Sequence, residues 1–403
     1  MVSKFCVTAL LYFVIAPGFC VAAWKADNAT LAEELGTGFY DNADGSPIFD
    51  LIAGARTTLD MEIYEMDDLR VIGAVREALA RGVNVRIVKE PKPVGSACYV
   101  FDEDTTFSRG EADTCDEQRE LVDEVIEAGG QYVPFSKPAL CGGSPKAKNC
   151  LEHGKLAIAD SEIALITTGN FNTTNLCDLE FSPGRCNRDY TYLTDDPKIV
   201  TSLKAVIERD LMGQPYEVES VVEEEAKDQI TIGPDSLKPL LAFIHSAEES
   251  IIIQNQYLKE PNINAALMEA SRKGIDVKVM VASACAFGKP KPSAAAAFKA
   301  IFSKFDEAGI SSKMFNKNIL INGKDGYLHA KAIIIDREKA WLGSVNGSTQ
   351  GTTLNREFGI FFNEPTEVFK LYKRMMGDFT DPNEETWQES LDCAEDSSTL
   401  TLN

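Results

Sequence analysis

Apolar and polar positions along this chain fall into short bursts, and the bursts come in two matching sets. Residues 59–66 read LDMEIYEM, an amphipathic helical stretch follows, and ARGVNVRIVKE comes at 80–90. Residues 251–258 read IIIQNQYL, again followed by helical periodicity and then by SRKGIDVKVMV at 271–281. In each set a glycine, Gly82 or Gly274, stops the helix, and alternating valine and isoleucine begins a strand. LVDEVIEAGG (121–130) answers KFDEAGI (304–310), and HGKLAIAD (153–160) answers HAKAIIID (329–336). Asp196-Pro197 and Glu364-Pro365 then each open a closing helix.

An internal repeat of this kind fixes the architecture before any single element does. Strands alternating with helices predict an α/β fold. The duplication predicts two similar α/β sandwich lobes related by a pseudo-twofold, each with a central mixed β-sheet flanked by helices. The predicted lobes are 24–215 and 233–390, joined by an acidic linker at 216–232 that reads as exposed, with a tail at 391–403. The first lobe carries an extra stretch at 96–115, read as a loop insertion near the site.

Composition adds a compartment. Lys4 precedes an apolar run interrupted by Pro17 and Gly18, and Val21-Ala22-Ala23 supplies small residues for cleavage. Residues 1–23 therefore read as a signal peptide cut near Ala23, and the protein as secreted, extracellular or periplasmic. Cys6 and Cys20 fall within that segment. The remaining cysteines are Cys98, Cys115, Cys141, Cys150, Cys177, Cys186, Cys285 and Cys393. An even number in an exported chain suggests disulfides, and pairing by proximity gives 98–115, 141–150, 177–186 and 285–393. No CxxC and no ligand spacing points to a metal, so no metal and no cofactor is expected. Asn28 begins a glycosylation sequon.

The chemistry lies in the fourth matched pair of segments, HGKLAIAD and HAKAIIID. The chain has 3 histidines in 403 residues, and two of them, His153 and His329, occupy equivalent strand starts. Lys155 and Lys331 follow two positions later, on the same face of the strand. Asp160 and Asp336 end the strands at a turn. A returning strand in each half leads to Asn170 and Asn346, at the same spacing from their histidines. NRDY (187–190) and NREF (355–358) then offer Asp189 and Glu357 as carboxylates able to hold a ring nitrogen of each histidine. His245, on an amphipathic helix without a lysine partner, reads as structural. Two imidazoles, two ammonium groups and two amides converging between packed halves would hold a tetrahedral phosphate. One histidine could attack phosphorus while the other protonates the leaving oxygen. A carboxylate behind each ring would fix its tautomer. The reaction class is phosphodiester cleavage through a phosphohistidine.

HxKx4D occurring twice, each time with a downstream asparagine and an acidic residue, resembles the phospholipase D superfamily over about residues 40–385. The resemblance implies that His153 is the nucleophile and that His329 is the acid, which then activates water. It implies that Lys155, Lys331, Asn170 and Asn346 hold the phosphate, and that Asp160 and Asp336 are mainly structural. One departure stands out: the family's Gly-Ser before the asparagine is Gly343-Ser344 in the second half but Thr167-Thr168 in the first.

Three functions fit these residues. The first is a secreted phospholipase acting on glycerophospholipid at a membrane surface, for example phosphatidylcholine to phosphatidic acid and choline, with water or alcohol as acceptor. The second is a secreted nuclease of the same superfamily. The third is a non-catalytic phosphate- or lipid-binding module. A net charge of -22 opposes long-range attraction of nucleic acid and favours the lipid. Lysines do cluster at 144–149 and 313–324, which keeps a short strand end in view. Nothing in the sequence indicates a protein partner.

Overall fold

The computed structural model describes residues 29–96, 98–102, 109–141, 149–177 and 184–393. The expected signal segment, Asn28, most of the 144–149 lysine cluster and most of the tail lie outside the described residues. In chain order the first lobe contributes β1 (Gly38–Asp41), β2 (Thr58–Ile63), β3 (Asn84–Lys89), β4 (Gln131–Pro134), β5 (Lys155–Ala159), β6 (Ile163–Thr167), β7 (Arg185–Arg188) and β8 (Tyr190–Thr194). The second contributes β9 (Ile230–Ile232), β10 (Ser250–Asn255), β11 (Asp276–Ala282), β12 (Ser311–Phe315), β13 (Asp325–Leu328), β14 (Lys331–Ile335), β15 (Lys339–Gly343) and β16 (Phe358–Phe362). Each lobe builds a seven-stranded sheet, ordered β1-β8-β6-β5-β2-β3-β4 and β12-β11-β10-β14-β15-β16-β9. Both are mixed: β2, β3 and β4 run parallel, while β5, β6 and β8 pair antiparallel, and the second lobe repeats this.

Strand alternation explains why the two sheets pack face to face. Leu156, Ile158, Ala164 and Ile166 point to one side and meet Ala332, Ile334, Ala340 and Leu342 in a shared central core. The alternate residues Ala157 and Ala159, and Ile333 and Ile335, point outward under the helices. The result is four layers, helix on sheet on sheet on helix, with every strand near the seam buried on both faces.

Two features differ from the sequence reading. Within the stretch at 96–115 the residues from Arg109 on are helical, in a helix that runs to Glu127 and answers Pro292–Ala308 of the second lobe, while 97 and 103–108 lie outside the described residues. The linker is charged but not free. Val218, Val221 and Val222 pack against the central core, Ala226 is buried, and the Glu223 amide donates to Ser202 Oγ at 2.9 Å. Alternating acids and valines let one edge of the linker find the core while the other stays in water.

The lobes are fastened by charge as well as by apolar contact. Arg188 binds Asp378 on the second lobe's closing helix (Pro365–Phe379) at 3.0 Å through both Nε and Nη2. Arg356 binds Asp210 on the first lobe's closing helix (Pro197–Met212) at 2.7 and 3.1 Å. Both guanidinium groups are buried, so each clamp is a forked, water-free pair. Beside the second clamp, burial pushes Glu62 well above the ordinary carboxylate range, and the charges of Asp210 and Glu152 add to that. Its repeat counterpart is Gln254, which is neutral by constitution and accepts from Tyr190 Oη at 2.6 Å. We expect Arg356→Met to lower unfolding free energy by about 3–5 kcal/mol, because Asp210 is left as an unpaired buried charge. Arg356→Met/Asp210→Leu should recover part of the loss in denaturant titrations, and a double variant as unstable as the single one would contradict the clamp.

Candidate active site

β5 and β14 begin at the seam between the sheets, each just after its histidine. The histidine backbones are held there by the opposite lobe. The His153 amide donates to the Arg356 carbonyl at 2.8 Å, and the His329 amide to the Arg188 carbonyl at 3.2 Å. β13, which leads into His329, pairs parallel with β7 of the other lobe, and Glu152 bridges Arg356 in the same sense. Each arginine immediately precedes a carboxylate. The same pairing therefore sets Glu357 Oε2 2.9 Å from His153 Nδ1, and Asp189 Oδ1 2.9 Å from His329 Nδ1. The sequence names both carboxylates as ring partners; the fold gives each to the histidine of the other lobe.

Both carboxylates are fully buried, so every oxygen needs a donor. Thr168 Oγ1 donates to Asp189 at 2.7 Å and Asn175 Nδ2 at 2.5 Å. Ser344 Oγ donates to Glu357 at 2.5 Å and Asn355 Nδ2 at 3.0 Å. The departure noted at Thr167-Thr168 is thus harmless to the hydroxyl, which does the same task in both lobes. The lost glycine has a steric reason in the other lobe: a Cβ at Gly343 would lie 2.4 Å from the Phe358 carbonyl oxygen and 3.0 Å from Trp341. Sequence reasoning missed Asn175 and Asn355. They are not repeat equivalents, so the duplication gave no signal for them.

Lys155 donates to the His153 carbonyl oxygen, and its ammonium lies 5.1 Å from the Tyr64 ring centroid. Tyr64 in turn stands edge-on to the His153 ring at 4.7 Å. Lys331 donates to the Thr168 carbonyl at 3.1 Å and lies 3.2 Å from both ring nitrogens of His329. Asn170 gives one amide hydrogen to Glu65 at 3.1 Å, which leaves its second amide hydrogen uncommitted. The side-chain oxygens of Asn170 and Asn346 are buried without a partner. His153, His329, Asn170 and Asn346 are each 7 or 8% exposed, so each is buried but keeps an edge in reach of solvent.

Electrostatics follow from that burial. Burial, aided by Lys155 and Lys331, drives His153 well below the ordinary imidazole range. Burial and Lys331 bring His329 down to about 4, against the pull of Asp189. Lys155 is lowered to about 8 and Lys331 to about 7, again chiefly by burial. The two carboxylates diverge. Burial pushes Glu357 up to about 8, while Asp189 is held below its usual range because His329, Lys331 and Thr168 outweigh burial. Such a pocket gains most from a guest that carries negative charge.

The motif aspartates do something else. Asp160 accepts the amides of Arg56, Thr57 and Thr58 at 2.7–3.1 Å, and Asp336 those of Glu248, Glu249 and Ser250 at 2.8–3.3 Å. Both have φ 54, at the turn between hairpin strands. They tie the far end of each hairpin to the start of β2 or β10, away from the histidines. His245 is exposed on its helix.

Removing a carboxylate should therefore disable the histidine of the opposite lobe. We expect Asp189→Asn to lower kcat by roughly 10²–10⁴-fold through loss of ring orientation and charge. In selectively ¹⁵N-labelled protein the His329 ring signals should move in Asp189→Asn and stay in Glu357→Gln, with His153 behaving oppositely. The reverse pattern would break the crossed assignment.

Comparison with known proteins accords with this geometry. The family model described as "Cardiolipin synthase, PLD-like domain" matches residues 48–211 and again 240–380. A cardiolipin synthase of Geobacillus kaustophilus is 26% identical over 276 residues, 64% of this chain and 52% of that protein. One from Clostridium perfringens is 23% identical over 374 residues, 84% of this chain and 69% of that protein. The chain thus spans about half the length of several curated relatives it matches. Among solved structures, the phosphatidylserine synthase of Haemophilus influenzae superposes with a TM-score of 0.59 at 11% identity, covering 86% of each chain. Two family matches, one over each lobe and together spanning most of the sequence, place this chain in the phospholipase D-like family.

Proposed function

We propose that the protein cleaves the head-group phosphodiester of glycerophospholipids by way of a histidine-bound phosphatidyl group. The observation that carries this reading is the crossed pairing of two histidines with two buried carboxylates around one cationic pocket. With Nδ1 of each ring committed to a carboxylate, Nε2 is the nitrogen left to react. His153 Nε2 attacks phosphorus, the bond to the head-group oxygen breaks, and His329, protonated when the phosphodiester anion is bound, gives its Nε2 proton to that oxygen. His329 then takes the proton from an incoming hydroxyl. That oxygen attacks phosphorus and the P–N bond to His153 breaks. The unequal carboxylates support this division of roles. Asp189 stays ionised and pulls His329 toward the protonated form against burial and Lys331, a pull that a bound phosphodiester anion would add to, while Glu357, pushed up to about 8, supplies no such pull to His153. Lys155, Lys331, Asn170 and Asn346 surround the phosphate oxygens.

Water as acceptor yields phosphatidic acid and a free head group; an alcohol yields a new phospholipid. The relatives are named for the second outcome. The reading includes export to an oxidising compartment, which four disulfides support: 98–115, 141–150, 177–186 and 285–393, the pairing expected from proximity.

Two experiments test this. Purified protein and His153→Ala should be compared on phosphatidylcholine, with and without added alcohol, and on single-stranded DNA. We expect lipid turnover and acid-labile ³²P retained on the protein, both lost in the variant. Equal activity of the two proteins refutes the nucleophile, and turnover of DNA alone refutes the lipid. The second is a pH profile. Lys331 and Lys155 bind phosphate only when protonated, and that form is lost as pH rises through about 7 to about 8. We expect kcat/KM to fall across this window while kcat holds further up, since bound phosphate keeps the lysines charged. A kcat/KM that stays level through the window counts against the lysines as phosphate ligands.

A further inference from the structure

The two most exposed large apolar side chains among the described residues are Val94 at 77% and Phe287 at 76%. They stand on corresponding loops, the one after β3 and the one after β11, at the carboxyl ends of the parallel strands. Both loops touch the catalytic mouth. The Val94 amide donates to Tyr64 Oη at 2.5 Å, and the Tyr64 ring abuts His153. The Phe287 ring stands 4.8 Å from that of Tyr327, two residues before His329, and the Arg185 guanidinium lies over both rings. Each loop is also stapled, by Cys98–Cys115 in the first lobe and by Cys285–Cys393 in the second. The Cys285–Cys393 link, the Tyr327 ring and the Arg185 guanidinium together hold the Phe287 loop beside the entrance.

Charge separates the Phe287 loop from the rest of the surface. In a chain of net charge -22, residues 283–305 contain Lys289, Lys291, Lys299 and Lys304 and no acidic residue. All four lysines are exposed. The helix that follows the loop, Pro292–Ala308, begins with a small apolar face: Ala294, Ala296, Ala297 and Ala300 are exposed as well. An aromatic tip, a shallow apolar face and four exposed lysines, two of them in the loop and all ahead of the first acids of the helix at Asp306 and Glu307, match the interface of a bilayer containing anionic lipid. The same lysines offset locally the repulsion that the acidic body would otherwise feel.

We propose that residues 285–300 form the surface by which the protein rests on an anionic phospholipid bilayer, with Phe287 entering the interface beside the catalytic mouth. This builds on the lipid reading of the site, and places that site where a head group could enter without leaving the membrane plane.

The test uses the full, oxidised protein and extruded vesicles of phosphatidylcholine with or without phosphatidylglycerol. Three quantities are read: co-sedimentation, turnover of vesicle lipid, and turnover of the water-soluble phosphodiester bis(4-nitrophenyl) phosphate. Wild type should sediment with the anionic vesicles, less so at high salt. Lys289→Glu/Lys291→Glu should bind them at least roughly tenfold more weakly, given about fivefold per lysine near a charged surface. Phe287→Ser should also weaken binding and vesicle turnover, and each variant should keep wild-type turnover of the soluble ester. Wild type that ignores vesicles, or variants that bind them as wild type does, would overturn the proposal. Loss of soluble turnover in both variants, or lysine-dependent binding of an oligonucleotide in place of vesicles, would also overturn it. Lysine-dependent vesicle binding with soluble turnover but no lipid turnover would support the docking surface and refute the lipid substrate instead.

Discussion

The structure depends on a requirement that is easily stated: two imidazoles taken out of water must each have their Nδ1 satisfied. The chain meets it by reaching across the seam. Backbone pairing of β13 with β7, and of Glu152 with Arg356, brings the opposite lobe's strand alongside each histidine, so that the next residue on that strand is a carboxylate at 2.9 Å. The residue before each carboxylate is an arginine whose guanidinium turns the other way, into an aspartate on the opposite closing helix. One short segment per lobe, Arg188-Asp189 and Arg356-Glu357, thus both fastens the two sheets and orients the opposite histidine ring. The geometry around the histidines and the association of the lobes rest on the same two segments.

The four disulfides gather around this seam. Cys141–Cys150 closes just before His153, Cys177–Cys186 lies between Asn175 and Asp189, and the other two staple the loops carrying Val94 and Phe287. None secures the hairpin turns at the far end, where Asp160 and Asp336 do that work with three amides each. Covalent links are placed where loops are long and polar, and hydrogen bonds where strands already impose the geometry.

Much of this was legible in the sequence because duplication repeats a signal. The paired strands, the closing helices after Asp196 and Glu364, and the recurrence of His-x-Lys needed no knowledge of packing. The hairpins form where the alternation placed them, with Leu156 opposite Ile166 and Ala332 opposite Leu342. What escaped is whatever repeats by function but not by position. Asn175 and Asn355 donate to the two carboxylates from unrelated places in their halves, and Tyr64 faces His153 where the second lobe has Gln256. The crossing escaped for a different reason: spacing along a chain carries no sign of which lobe a side chain will meet. In the linker the acids signal exposure and the valines between them signal contact with the core, and the fold honours both.

The crossed carboxylates also constrain how such a molecule can change over time. Each copy of the repeat houses a buried ring whose acid, with the hydroxyl and amide that hold that acid, stands on the neighbouring copy. A change tolerated by one copy's own folding still bears on the buried ring of its twin. The two halves therefore differ at their rims, where Gln256 stands in the place of Tyr64 and the Phe287 loop in the place of the Val94 loop, but keep one arrangement along the seam.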